Sequence, residues 1–201
     1  MVNALVPVSF RFALLALLAL ILASPVDAYS TKLCERGAFG SYIQKDYRDT
    51  RSRVLHRDAI GPLTERTASS GKVLVTTGSW HDPFTGRDLI DVAAGRVHID
   101  HVIPVCWAWY RGAAGWSHAE RRAFFNDMRY LIVVEAGLNM QKSDQGPDTF
   151  TPLNRHFRCD YVLLFLDGVE RYELELSRED RTGLEQARAA ACDTGKPPPG
   201  A

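Results

Sequence analysis

Apolar and polar positions change period several times along this chain, and each change marks an element. Between residues 38 and 60, Phe39, Tyr42, Ile43, Val54, Leu55 and Ile60 recur among many charges, which predicts two short amphipathic helices. Residues 72–77 are β-rich, and Trp80-His81-Asp82-Pro83-Phe84-Thr85-Gly86 reads as a turn because Asp-Pro and Thr-Gly are both breakers. Residues 97–102 give a second strand. A helix follows over 117–126, with Ser117 as N-cap and Glu120 three residues on to complete a capping box. Residues 130–134 form a continuous apolar strand, and 135–142 start a helix directly after it. Two more helices are predicted, over 159–169 and 177–191. The expectation is one α+β domain with more helices than strands.

The longest apolar run, residues 12–23, is entered through Arg11 and closed by Ser24-Pro25. It is shorter than the roughly 20 residues a bilayer-spanning helix needs. With Val26-Asp27-Ala28 behind it, the segment reads as a secretory signal peptide over 1–28; an uncleaved anchor is the alternative. The expected domain is then 29–195, with a disordered Pro-rich tail at 196–201. Export, secreted or periplasmic, with no stable membrane association after cleavage, favours disulfides among Cys34, Cys106, Cys159 and Cys192, which contain no C-x-x-C pair. Three pairings are possible. Cys159 with Cys192, flanking one helical hairpin, leaves Cys34 with Cys106; a free, reactive Cys106 is the alternative.

Lys+Arg and Asp+Glu number 24 each, which excludes binding to nucleic acid or membrane through net charge alone. The charge is not evenly spread. Residues 29–158 carry 18 basic against 14 acidic side chains, and residues 159–193 carry 4 against 9, so a polyanion should meet the first part of the chain.

The chemistry concentrates at Ile99-Asp100-His101-Val102-Ile103-Pro104, with Asn139-Met140-Gln141-Lys142 downstream. Asp is a hard oxygen ligand suited to Mg²⁺, a neutral imidazole can take a proton from water, and Asn139 offers a neutral carbonyl oxygen. Mg²⁺ keeps several waters and uses one or two carboxylates, so a sparse Asp/Asn site suits it.

In order along the chain stand Phe39-Gly40, Asp49-Thr50-Arg51, Trp80-x-Asp82-Pro83-x-Thr85-Gly86, Asp100-His101-Val102-Ile103-Pro104 and Ala108-Trp109 with Gly112-Ala113. Trp116, Arg121-Arg122, Phe124, Asn126-Asp127, Asn139-x-x-Lys142 with Gly146-Pro147, Arg158-Cys159-x-Tyr161 and Cys192 follow. This set resembles the HNH endonuclease family, and more closely its secreted members related to the C-terminal domain of GmrSD-type restriction enzymes. The resemblance implies a ββα-metal core (strand, connection, strand, helix) embedded in a mostly helical single domain. It implies that Asp100 and Asn139 hold one divalent metal ion, Mg²⁺ with Mn²⁺ as the alternative, and that His101 is the general base. Lys142 and Arg51 would contact the substrate, and Tyr130 stands at the middle position of the pattern, where the family has Asn or His, to orient the base partly through its backbone carbonyl. Met140 and Gln145 replace basic residues of the family, so phosphate contacts are fewer and binding more salt-sensitive.

The expected activity is low-specificity hydrolysis of phosphodiester bonds in DNA, with RNA as a further substrate, by a secreted monomer. The alternatives are an inactive nuclease-fold module that binds nucleic acid or a protein, a structural domain without metal affinity, and a zinc site using His98, His101 and Cys106. Trp80, Trp107, Trp109 and Trp116 are expected in the core, and Asp127 as a structural cap.

Overall fold

A computed structural model describes residues 33–192; the signal segment expected at 1–28 and the tail expected at 196–201 lie outside the described residues. Only one of the two helices expected between 38 and 60 forms. Arg36–Phe39 is a 3-10 turn, Gln44–Lys45 (β1) and Arg48–Asp49 (β2) pair as a small antiparallel hairpin, and Thr50–Arg57 forms α1. Charges at 44–48 interrupt the helical period, and Asp49 starts α1 afresh by accepting a bond from Ser52 N at 2.8 Å.

Next comes a three-stranded antiparallel meander of Thr64–Thr67 (β3), Val73–Asp82 (β4) and Arg87–Ala93 (β5), in that order. β3 and β5 carry no apolar alternation because neither buries a face: all four β3 residues are exposed, as are most of β5. The strand β4 also runs on through Trp80 to Asp82, where a turn had been expected. The reversal falls at 83–86, where Asp82 accepts from Phe84 N (3.0 Å) and Thr85 Oγ1 (2.6 Å), and Gly86 takes φ +73°.

Val97–His101 (β6) and Leu131–Glu135 (β7) pair antiparallel, from Val97↔Glu135 to His101↔Leu131. Their connection holds Val105–Trp109 (α2) and His118–Phe125 (α3), the latter opened by the expected Ser117/Glu120 capping box. Ala136–Lys142 (α4) follows β7 without a loop, its first turn capped by Glu135, which accepts from Leu138 N at 2.8 Å. Arg158–Arg171 (α5) and Arg178–Cys192 (α6) form the expected hairpin. Helical residues outnumber strand residues, but the described residues form seven strands, so the domain is mixed helix and sheet.

The β6–β7 pair separates two apolar clusters. Val97, Ile99, Leu131 and Val133 pack with Val54, Leu55 and Trp80 on one face; Val134 and Ile132 join the aromatic cluster of α2, α3, α5 and α6 on the other. Trp80, Trp107 and Trp109 are buried as expected, and Trp116 is half-buried. Both expected disulfides are formed, Cys34–Cys106 and Cys159–Cys192, with no free cysteine among the described residues. That corrects the alternatives of a reactive Cys106 and of a zinc site using its thiolate.

Candidate active site

Period-two alternation in β6 turns Val97 and Ile99 to one cluster and His98 and Asp100 to the side covered by α4. Asn139 and Lys142, three positions apart on α4, meet them there: Asn139 Nδ2 donates to His98 Nδ1 at 3.3 Å, and Lys142 Nζ donates to Asp100 Oδ1 at 2.9 Å. His101 ends the strand, so regular alternation stops and its ring shares a cavity with its neighbour. Asp100, His101 and Asn139 all line this cavity of about 200 Å³, with Arg36, Pro104, Val105, Ser143 and Asp144 around it. The metal ligands and the base expected from the sequence are thus brought together.

Asp100 is 4% exposed. Its Oδ1 is held by Lys142, whereas Oδ2 is buried with no hydrogen-bond partner among the described residues. Burial raises its pKa, against the opposing pull of the Lys142 ammonium. A buried, unpartnered carboxylate oxygen in a residue that lines a cavity is an unmet acceptor that a hard cation satisfies. The donation to His98 leaves Asn139 Oδ1 as the oxygen end of that amide, with no protein donor among the described residues. Two oxygen donors with room for waters fit a magnesium-type ion. They do not fit a full protein cage, since no cluster of three His, Cys, Asp or Glu side chains suited to a metal occurs among the described residues.

The imidazole of His101 packs against Phe125, ring centroids 4.5 Å apart, and its Nε2 lies 2.9 Å from the Phe125 carbonyl oxygen. A carbonyl only accepts, so Nε2 carries the proton and Nδ1 keeps its lone pair. Burial presses the pKa down to about 3, with the Phe125 bond opposing and the charges of Arg36 and Lys142 adding to the fall. The ring is therefore neutral at ordinary pH.

Two expected roles need correction. Tyr130 does not orient the base: its carbonyl accepts from Val102 N at 2.9 Å, and its hydroxyl donates to Asp167, within the aromatic cluster. The Phe125 carbonyl, at the end of α3, holds the ring instead. Lys142 is not a substrate contact. It is 0% exposed and donates to both Asp100 Oδ1 and the His101 carbonyl oxygen at 2.9 Å, so it clamps the end of β6 from beneath. Arg51, half-buried on α1, donates through Nη2 to the Ala94 and Val97 carbonyl oxygens (2.8 and 3.1 Å) at the entry to β6, outside the residues that line the cavity. Asp127 is the structural cap expected, accepting from Arg129 N at 3.1 Å and from Tyr172 Oη at 2.7 Å.

Sequence reasoning missed Arg36, Asp144 and Phe125. The first two carried a weak signal, charge close to Cys34 and to Lys142. A backbone carbonyl carries none. A larger groove of about 840 Å³ beside Tyr172 holds no histidine, and its Asp127 and Asp167 are already hydrogen-bonded.

No protein-family model matches the chain. No solved structure matches it either. An uncharacterized secreted protein of Arthroderma benhamiae is 33% identical over 138 residues, 68% of this chain and 64% of that protein, so the chain spans less than two thirds of its relative's length. The relative is secreted and both cysteine pairs are bridged; the chain is accordingly a secreted protein. No helix among the described residues is long and apolar enough to cross a membrane.

Proposed function

We propose that the chain is an HNH-type endonuclease that hydrolyses phosphodiester bonds of DNA, with RNA as a further substrate, and with little sequence preference. The observation that carries this reading is the convergence of Asp100, His101 and Asn139, from a strand–connection–strand–helix unit, on one cavity.

Asp100 Oδ2 and Asn139 Oδ1 would hold one divalent ion, Mg²⁺ or Mn²⁺. Bound there, that ion supplies Lewis-acid stabilisation of charge developing on the phosphate and the leaving oxygen. His101 does the proton chemistry. Its neutral Nδ1 takes a proton from a water molecule that attacks phosphorus in line; the opposite P–O bond breaks and the leaving oxygen takes a proton from solvent, while Nε2 stays fixed on the Phe125 carbonyl. Burial makes the imidazole a weak base, and the negative phosphate strengthens it by favouring the imidazolium. Lys142 holds Asp100 and the His101 backbone in place.

A second reading, a nuclease-fold protein that binds nucleic acid or a protein without cutting, is favoured by one contact: the Lys142 ammonium already neutralises Asp100. Incubating the oxidised protein with plasmid, with Mg²⁺ or with EDTA, alongside His101→Ala, separates the two. Cleavage lost on both treatments supports the enzyme. Binding with no cleavage in Mg²⁺ or Mn²⁺ supports the inactive module.

A further inference from the structure

Lys142 is buried beneath the site and Arg51 lies outside the cavity lining, so positive charge on the cavity wall comes from another side chain. Arg36 supplies it. The residue is exposed, lines the cavity beside Asp100 and His101, and makes no hydrogen bond or ion pair among the described residues.

The turn that carries Arg36 is fixed at both ends. Two residues before it, Cys34 is bridged to Cys106, and its N–H donates to Tyr110 Oη at 3.1 Å. Three residues after it, Phe39 is fully buried between Trp109 and Phe124, at centroid distances of 6.2 and 5.9 Å. Cys106 itself follows Pro104 and Val105, two residues of the cavity wall, so the disulfide joins two parts of one rim.

A guanidinium offers a planar fork of N–H donors that matches two phosphate oxygens. We propose that Arg36, held at the rim by the Cys34–Cys106 bridge, is the side chain that grips a phosphate of the nucleic acid, so that capture requires the closed disulfide. This rests on the nuclease reading above. The Asp144 carboxylate on the same cavity repels an anion, which makes this cation decisive and confines tight binding to the oxidised, exported protein.

The test is binding of a fluorescein-labelled single-stranded oligonucleotide in EDTA across a salt series, with KM and kcat for plasmid in Mg²⁺. Wild type is compared with Arg36→Ala, Arg36→Lys, Cys34→Ser/Cys106→Ser and Cys159→Ser/Cys192→Ser, each checked by circular dichroism. Losing one charge-assisted bond should weaken binding about ten- to a hundredfold in Arg36→Ala, read equally as KM. The slope of log affinity against log salt should flatten by about 0.7. Arg36→Lys keeps the slope and recovers part of the affinity. The Cys34/Cys106 variant behaves like Arg36→Ala, and the Cys159/Cys192 variant binds like wild type. If the Cys34/Cys106 variant is unfolded, wild type reduced at Cys34–Cys106 under native conditions takes its place. A wild type that binds and cleaves, with Arg36→Ala equal to it in affinity, KM and slope, overturns this proposal and leaves the nuclease reading standing. Salt-sensitive affinity unchanged by opening the Cys34–Cys106 bridge removes the disulfide from it. A wild type that neither binds nor cleaves brings down both.

Discussion

Lys142→Met tests the buried clamp at the centre of the site. The ammonium is 0% exposed and its partner carboxylate 5%, at 2.9 Å, so removing the cation strands a buried negative charge. Breaking a buried pair from one side costs about 3–5 kcal/mol, against the 0–1 kcal/mol of an exposed pair. The His101 carbonyl loses a donor as well. For a domain of this size each kcal/mol moves Tm by about 2–4 °C, so the variant should melt roughly 6–20 °C below wild type at pH 7. Replacing both partners, Asp100→Leu/Lys142→Met, should recover much of the loss, because an apolar pair of similar volume is often neutral. Mg²⁺ should raise the Tm of Lys142→Met by more than it raises that of wild type, since a cation at Asp100 replaces the missing charge. Thermal unfolding of the three proteins with and without Mg²⁺ gives all these numbers. A loss below about 1 kcal/mol for the single variant, or a double variant no better than it, would refute the clamp.

Asp180 accepts from Arg111 and from Ser177 N (3.0 Å); burial raises its pKa, but these bonds outweigh it and hold the carboxyl below its ordinary 3.8. Its stabilisation is present above 3.8 and lost as pH falls through the folded value, so urea midpoints should drop below about pH 4 in wild type and more shallowly in Asp180→Asn. Opening Cys159–Cys192, with 33 residues of separation, should cost about 3–4 kcal/mol by loop entropy; a calorimetric loss under 1 kcal/mol would contradict it. In Gly168→Ala the new Cβ on α5 would stand 2.3 Å from Ile103 Cδ1 and 3.0 Å from the rigid Tyr130 ring. Chemical denaturation should show about 1–3 kcal/mol of destabilisation, and unchanged stability would mean that Ile103 repacks freely.

The elements legible in the sequence are those with one buried face. The capping box at Ser117, the run 130–134 and the hairpin of α5 and α6 announced themselves because apolar periodicity and capping chemistry act over a few residues. β3 and β5 stayed hidden because both are exposed on most positions, and their existence is owed to ladder bonds with β4, which a hydrophobic pattern does not record. At the site, Asp100, His101 and Asn139 were legible by residue type and order. The fates of Lys142 and Arg51 were not, since a basic side chain reads the same whether it meets a phosphate or a backbone carbonyl.

What the sequence determined by itself was a list of groups with the right chemistry, two strands with a helix directly after the second, and a cysteine set that closes as two bridges. Tertiary structure decided which way each group faces. Asp100 and Asn139 lie 39 positions apart and share a cavity only because α4 folds back across β6. The His101 ring is aimed by a carbonyl, and every residue has one of those. Placing such groups depends on long-range packing and on which polar atoms burial forces to find partners, and neither is written in local order along the chain.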